Sequence, residues 1–192
     1  MTKLLDKYKS GGGKKFPPVG AGTYPARIAQ IIDLGLQKDS YQGEESVKPK
    51  LFITFELPTK KIEIDGEMKP RWISREYTKS THEMSALTSV IMAVCPDASS
   101  FEDLLGKPCL IQTGLTSGGN DKIISVAPEM EGMVTPPLAN GTVFYDLEHP
   151  SQAIYDNLPR FLQEKIDNRI VQGKPAAPSK DPFEGTDEDL PF

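Results

Sequence analysis

The sequence predicts a mainly β protein: a five-stranded barrel with one helix between its third and fourth strands, then a helical extension and an acidic tail. Three observations lead there. Stretches of period-two alternation recur between residues 20 and 128. A single stripe of helical spacing interrupts them after the third stretch. Hairpin signals, Asp65-Gly66 and Ser117-Gly118-Gly119-Asn120-Asp121, join neighbouring strands. With 192 residues, 38% of them hydrophobic, the chain can bury one core with appendages but not two large domains.

Residues 1–19 form a basic arm. Lys3, Lys7, Lys9, Lys14 and Lys15 stand against Asp6 alone, and Gly11 to Gly13 precede the lysine pair. Such an arm suits a phosphate backbone or the protein's own acidic tail. The barrel occupies residues 20–128. Its first strand is read from Tyr24, Ala26, Ile28, Ile32 and Leu34 alternating with Arg27 and Asp33, and the polar stretch Gln37 to Lys48, carrying Tyr41, reads as a loop. In the second strand Leu51, Ile53, Phe55 and Leu57 share the core face. Lys50, Phe52, Thr54 and Glu56 share the other, where Phe52 has no core to explain it.

Ile62, Ile64 and Asp65-Gly66, flanked by Lys60, Lys61 and Lys69, make a basic finger. The third strand sets Arg71, Ile73, Arg75, Tyr77 and Lys79 on one face and Trp72, Ser74, Glu76 and Thr78 on the other. Ser80 with Glu83 resembles a capping box, and Met84, Leu87, Ile91 and Val94 supply a helical stripe up to Pro96. A short turn from Phe101 to Leu105 ends at Gly106, and strands Pro108 to Thr116 and Lys122 to Ala127 complete the barrel. Three strands, a helix and two strands is the order of an OB-fold, whose second and third strands with their loops form the usual nucleic-acid surface.

Residues 129–172 hold a linker and a helical extension packed on the barrel. Val143 to Leu147 recovers strand character, Ser151 to Asn157 and Pro159 to Ile170 read as helices, and Leu158, Phe161, Leu162, Ile166 and Ile170 form the apolar face. Residues 173–192 read as a disordered linker and tail. Asp181, Glu184, Asp187, Glu188 and Asp189 carry the whole net charge of −5, since without them 22 basic residues face 22 acidic ones. Leu190, Pro191 and Phe192 add two apolar anchors and a carboxylate, which suit a shallow apolar pocket rimmed by basic groups on a partner.

Single-stranded nucleic acid is held by cations along its backbone and by flat side chains under its bases, each stack worth roughly 1–3 kcal/mol. The second and third strands supply both. Lys50 and Phe52, Arg71, Arg75, Tyr77 and Lys79, Trp72 on the opposite face, and Lys60, Lys61 and Lys69 on the finger are the candidate contacts, with Arg27 and Tyr41 extending the surface. Residues 1–127 hold 17 basic and 15 acidic groups, so binding depends on local arrangement and the tethered tail competes for the same groove.

The tail resembles those of bacterial single-stranded DNA-binding proteins, which end in an acidic run, a hydrophobic residue, Pro and Phe. More of the chain joins in: Thr78 to Leu87 (Thr-Lys-Ser-Thr-His-Glu-Met-Ser-Ala-Leu), Leu158-Pro159-Arg160-Phe161 and Gln163-Glu164-Lys165-Ile166, with the tail, look like the single-stranded DNA-binding proteins of tailed bacteriophages. The resemblance implies an OB-fold that coats unwound DNA in replication, recombination and repair. It further implies a tail, here Asp187, Glu188, Asp189, Leu190, Pro191 and Phe192, that contacts polymerase, helicase-primase or nuclease. The tail departs from the pattern in having five scattered acids, which bears on which partner it meets.

Other classes are less well served. Asp33, Glu56, Glu63 and Asp65 are the carboxylates available to a metal-dependent nuclease, but their spacing does not converge. Cys95, Cys109, His82 and His149 match no common zinc pattern, and no cofactor motif is present. The absence of a long apolar run and of a signal-like N-terminus points to a cytoplasmic protein without a membrane span, the host cytoplasm if phage-encoded. The expected state is a monomer or small homo-oligomer. The rival reading is an OB-fold adaptor, in a replisome or virion, whose aromatic cluster binds protein.

Overall fold

A computed structural model describes residues 16–80 and 82–171. The basic arm before Phe16 and the acidic tail from Asp181 to Phe192 lie outside the described residues, as does the side chain of Tyr41.

The fold is mainly β. Six strands make one sheet: β1 (Gly22–Tyr41), β2 (Glu44–Ile64), β3 (Glu67–Thr78), β4 (Pro108–Leu115), β5 (Asp121–Ala127) and β6 (Val143–Tyr145). Their order is β3-β2-β1-β4-β5, antiparallel throughout, with β6 added parallel to β1. β1 can hold three partners because its second edge is shared. Gly22 to Arg27 pairs with β4, and Gln30 to Ile32 pairs with β6. Three helices, α1 (Ala86–Val94), α2 (Gln152–Asn157) and α3 (Arg160–Asp167), and a one-turn 3-10 helix (Phe101–Leu104) complete the described chain.

The expected strand order is present, but the sheet stays open. Among the described residues β3 and β5 share no ladder. Their edges are bridged by side chains: Arg75 donates to the Ile123 carbonyl at 3.2 Å. At the finger end the incoming chain covers the seam. Val19 and Gly20 donate their amides to the Asp121 carboxylate at 2.8 and 3.0 Å, and Arg71 donates to the Pro17 carbonyl at 2.6 Å.

Each face of the sheet has its own core. Inside lie Ala26, Ile28 and Ile31 of β1, Leu51, Ile53, Phe55 and Leu57 of β2, and Ile73 and Tyr77 of β3, capped by Leu87 and Val90 of α1. Outside, Ile32 and Leu34 of β1 pack with Tyr145, Leu158, Leu162 and Ile166, and half-buried Phe52 leans on this cluster. Leu158 and Leu162 are fully buried and Ile166 nearly so. At roughly 1.5–3 kcal/mol for each such side chain, the extension is a fixed second layer of the fold.

A bulge decides which residues go where. The β1–β2 register slips between Ile28 and Gln30, so Ile32 and Leu34 face outward although simple alternation groups them with Ile28. The stretch expected as a loop, Gln37 to Lys48, is instead a two-stranded ribbon closed by Gln42 and Gly43, both at positive φ. It projects past both cores, so its polar residues follow no alternation. Asp65 and Gly66 make the matching turn of the finger, as expected. α1 begins later than Ser80: Ser85 is its N-cap, its hydroxyl accepting from the Thr88 amide at 3.1 Å. Met84 therefore falls before the helix and is 87% exposed, and Val90 takes its place in the core.

Candidate nucleic-acid interface

The outer face of β2 and β3 carries Lys50, Phe52, Thr54 and Glu56 opposite Thr78, Glu76, Ser74 and Trp72 in register. It is a continuous strip in which every member is held. Thr54 and Ser74 share a hydroxyl hydrogen bond at 2.9 Å. Lys50 donates to Asp39 at 2.8 Å and to Thr78 at 3.0 Å, and this contact, with Lys48 nearby, holds the Asp39 carboxyl below its usual range. The strip ends at α3, where the Phe52 and Phe161 rings meet edge to face at 5.7 Å and 68°. Phe161 remains 36% exposed. Beside the pair, Lys165 of α3 is ion-paired with Glu76, the cross-strand neighbour of Phe52.

At the other end of the strip Glu56 is fully buried. One carboxylate oxygen accepts from the Trp72 indole at 2.9 Å and the other from the Ala139 amide at 2.7 Å. Its cross-strand neighbour Arg27 spends its guanidinium on the same segment, donating to the carbonyls of Pro136 and Thr135 at 2.8 and 2.7 Å and to Gly106 at 2.7 Å. Arg27 and Glu56 thus fasten residues 135–139 across the sheet. Arg27 is a structural clamp, and Trp72 lies half-buried at the strip's edge.

The remaining strand candidates lie elsewhere. Arg71, Arg75 and Tyr77 belong to the inward face with Ile73. Tyr77 is 2% exposed, burial pushes its hydroxyl up to about 12, and Arg75 lies over its ring at 5.0 Å. Arg71 is engaged with Pro17 and, at 3.4 Å, with Asp121. Lys79 is paired with Asp33 at 3.0 Å at the end of the sheet beside α1. On the finger, Lys69 meets Glu67 at 3.0 Å, Lys60 lies over the Tyr24 ring at 4.9 Å, and Lys61 is exposed. The finger also bears Glu63, Asp65 and Glu67, so it is not the basic element its lysines suggest. Among the nuclease-type carboxylates, Asp33 and Glu56 are buried in these separate contacts, and Glu63 and Asp65 are exposed on the finger.

The strip therefore brings together Lys50, Phe52 and Trp72 from the expected set and adds Phe161 and Lys165 from α3. Sequence reasoning assigned Phe161 to the buried helix face. The signal that it reaches the surface is its place next to Leu162 on a helix whose buried residues are Leu162 and Ile166. No helix among the described residues is long and apolar enough to cross a membrane. A scan of protein-family models and searches of curated proteins and of solved structures return no significant match.

Proposed function

We propose that this protein is a non-enzymatic binder of single-stranded DNA with little sequence preference, an OB-fold of the tailed-phage type that coats unwound strands in replication, recombination and repair. The observation that carries the reading is the Phe52–Phe161 pair, presented on an outer strand face between Lys50 and Lys165. Bases stack on the exposed ring of Phe161 and on Trp72, and phosphates displace the carboxylates that now hold Lys50 and Lys165. In this reading Arg27, Arg71, Arg75 and Tyr77 maintain the fold, because their polar groups and rings are already engaged. The strand order, with a β3–β5 seam bridged by Arg75, supports the OB-fold assignment. The tail, through Asp187, Glu188, Asp189, Leu190, Pro191 and Phe192, recruits replication or recombination proteins and competes with DNA at low salt.

One observation favours the adaptor reading instead. Lys50, Lys69, Arg71, Lys79 and Lys165 are each already paired with a carboxylate, so these cations of the strip and its neighbouring strands must exchange partners to meet phosphate. Anisotropy titration of labelled oligothymidylate and of a matching duplex at two salt concentrations separates the two. The full chain and a version ending at Ser179 are compared. Preference for the single strand, tighter without the tail and weakened by salt, supports DNA binding. No binding by either version overturns it and leaves the strip as a protein interface.

A further inference from the structure

The end of the sheet beside α1 opens into a cavity of about 400 Å³. Leu51, Leu104, Phe144, Ile91 and Phe101 give it an apolar floor and walls. Its lining is acidic: among the described residues Asp33, Glu102, Asp146 and Glu148 stand against one ammonium, that of Lys79. Lys79 is itself committed to Asp33 at 3.0 Å and lies 5.5 Å from the centre of the Phe101 ring. Phosphate is repelled by such a lining. A peptide that sets lysines beside leucine or tyrosine matches both the charges and the apolar floor.

This chain contains such a peptide. Residues 1–15 hold Lys3, Lys7, Lys9, Lys14 and Lys15 against Asp6, with Leu4, Leu5 and Tyr8 among them. We propose that this N-terminal arm docks in the cavity, one of its apolar side chains on the floor and its lysines against the acidic residues of the lining. Reach is sufficient. Phe16 lies at the opposite end, where it lines a small hollow with Ile62, Ile64, Pro70 and Trp72. From Arg71 to Lys79 along the strand is about 26 Å, while fifteen extended residues span about 50 Å. Docking withholds the arm's lysines from phosphate, and it stands independently of whether the outer strip binds DNA.

Amide NMR spectra of the full chain and of a version beginning at Phe16 test this directly. With docking, loss of the arm shifts the amides of Ser99, Ser100, Phe101 and Glu148, and the arm's own amides in the full chain differ from those of a synthetic peptide of residues 1–15. The double variant Glu102→Gln, Glu148→Gln removes two lining charges whose side chains make no hydrogen bond or ion pair among the described residues. It moves the arm's signals toward those of the free peptide while the remaining amides of the sheet stay in place. Shifts confined to the neighbours of Phe16, shifts on the finger instead of the cavity, or arm signals that already coincide with the free peptide overturn the proposal.

Discussion

The Arg75 guanidinium donates to the Ile123 carbonyl across 3.2 Å, and this contact spans the place where the described strands β3 and β5 run side by side without a ladder. A side chain thus does locally what backbone pairing does between the other neighbours. The geometry depends on Tyr77, whose buried ring supports the guanidinium from within the core at 5.0 Å.

Arg75→Met should therefore lower stability by about 2 kcal/mol, the usual worth of a hydrogen bond to a charged group. Urea unfolding followed by tyrosine and tryptophan fluorescence measures it. DNA affinity of the folded variant should stay within about twofold, well short of the loss of one stacked base. A selective loss of affinity with unchanged stability would return Arg75 to the binding surface.

Glu56 and Trp72 make a second test of the fold. Glu56 is fully buried and accepts one hydrogen bond from the indole and one from the Ala139 amide. Glu56→Ala strands both donors and should cost about 3 kcal/mol or more, whereas Trp72→Phe leaves one carboxylate oxygen short of a partner and should cost about 1–2 kcal/mol on that account. Equal, small losses in chemical denaturation would mean that residues 135–139 are not fastened through this carboxylate.

At the strip, Phe161→Ala and Phe52→Ala should each weaken oligothymidylate binding by roughly 1–3 kcal/mol. Because the two rings touch, the double variant should lose less than the sum of the singles. Phe52→Ala alone should also reduce stability, since Phe52 leans on the cluster of Leu158 and Leu162. Titration and denaturation of the same four proteins separate the effects. Additive losses in affinity would indicate two independent contacts.

Much of this architecture was legible from alternation alone. Leu51, Ile53, Phe55 and Leu57 share a face and are all at most 1% exposed, and the finger turn falls at Asp65-Gly66. What alternation misses is any shift of register. The bulge after Ile28 exchanges the faces of Ile32 and Leu34, and no local pattern marks it. Nor does a strand reveal what later covers its outer side. Phe52 looked stranded among polar residues because its neighbour, Phe161, lies on a helix more than a hundred positions away. The same limit applies to Arg71 and Arg75. Their spacing put them on one face with Ile73 and Tyr77, but only the three-dimensional seam turns that face into a place for guanidinium groups.

Acid should destabilise the protein through specific carboxylates. Asp103 accepts hydrogen bonds from the Ser100 and Ser99 amides at 2.8 and 2.9 Å, and these hold its carboxyl below the ordinary 3.8. A group lowered in the folded state favours folding above its unfolded value and loses that contribution as pH falls through the folded one. That contribution is intact above 3.8 and fades as pH falls below it, so the melting temperature should drop there, and Asp103→Asn should be less stable than the parent at neutral pH but nearly equal to it in strong acid. A deficit independent of pH would assign the effect to lost packing instead of charge.

The two cysteines should separate cleanly, because reactivity follows the thiolate and not the thiol. Cys109 is buried in the inner core, and burial, aided by the nearby charge of Glu129 and opposed by Arg27, pushes its thiol up to about 12. Cys95 sits half-buried at the end of α1. At about pH 8 a maleimide should therefore label one thiol of the native protein, at Cys95, and reach the second only in denaturant. The sign of the linkage extends this to alkali. A raised thiol favours the folded state below its unfolded value of 9.0 and loses that contribution as pH rises toward 12, so Cys109→Ala should flatten the alkaline fall in stability. Labelling of both thiols at equal rates in the native state would show that the inner core opens at the β1–β4 edge where Cys109 pairs with Ala26.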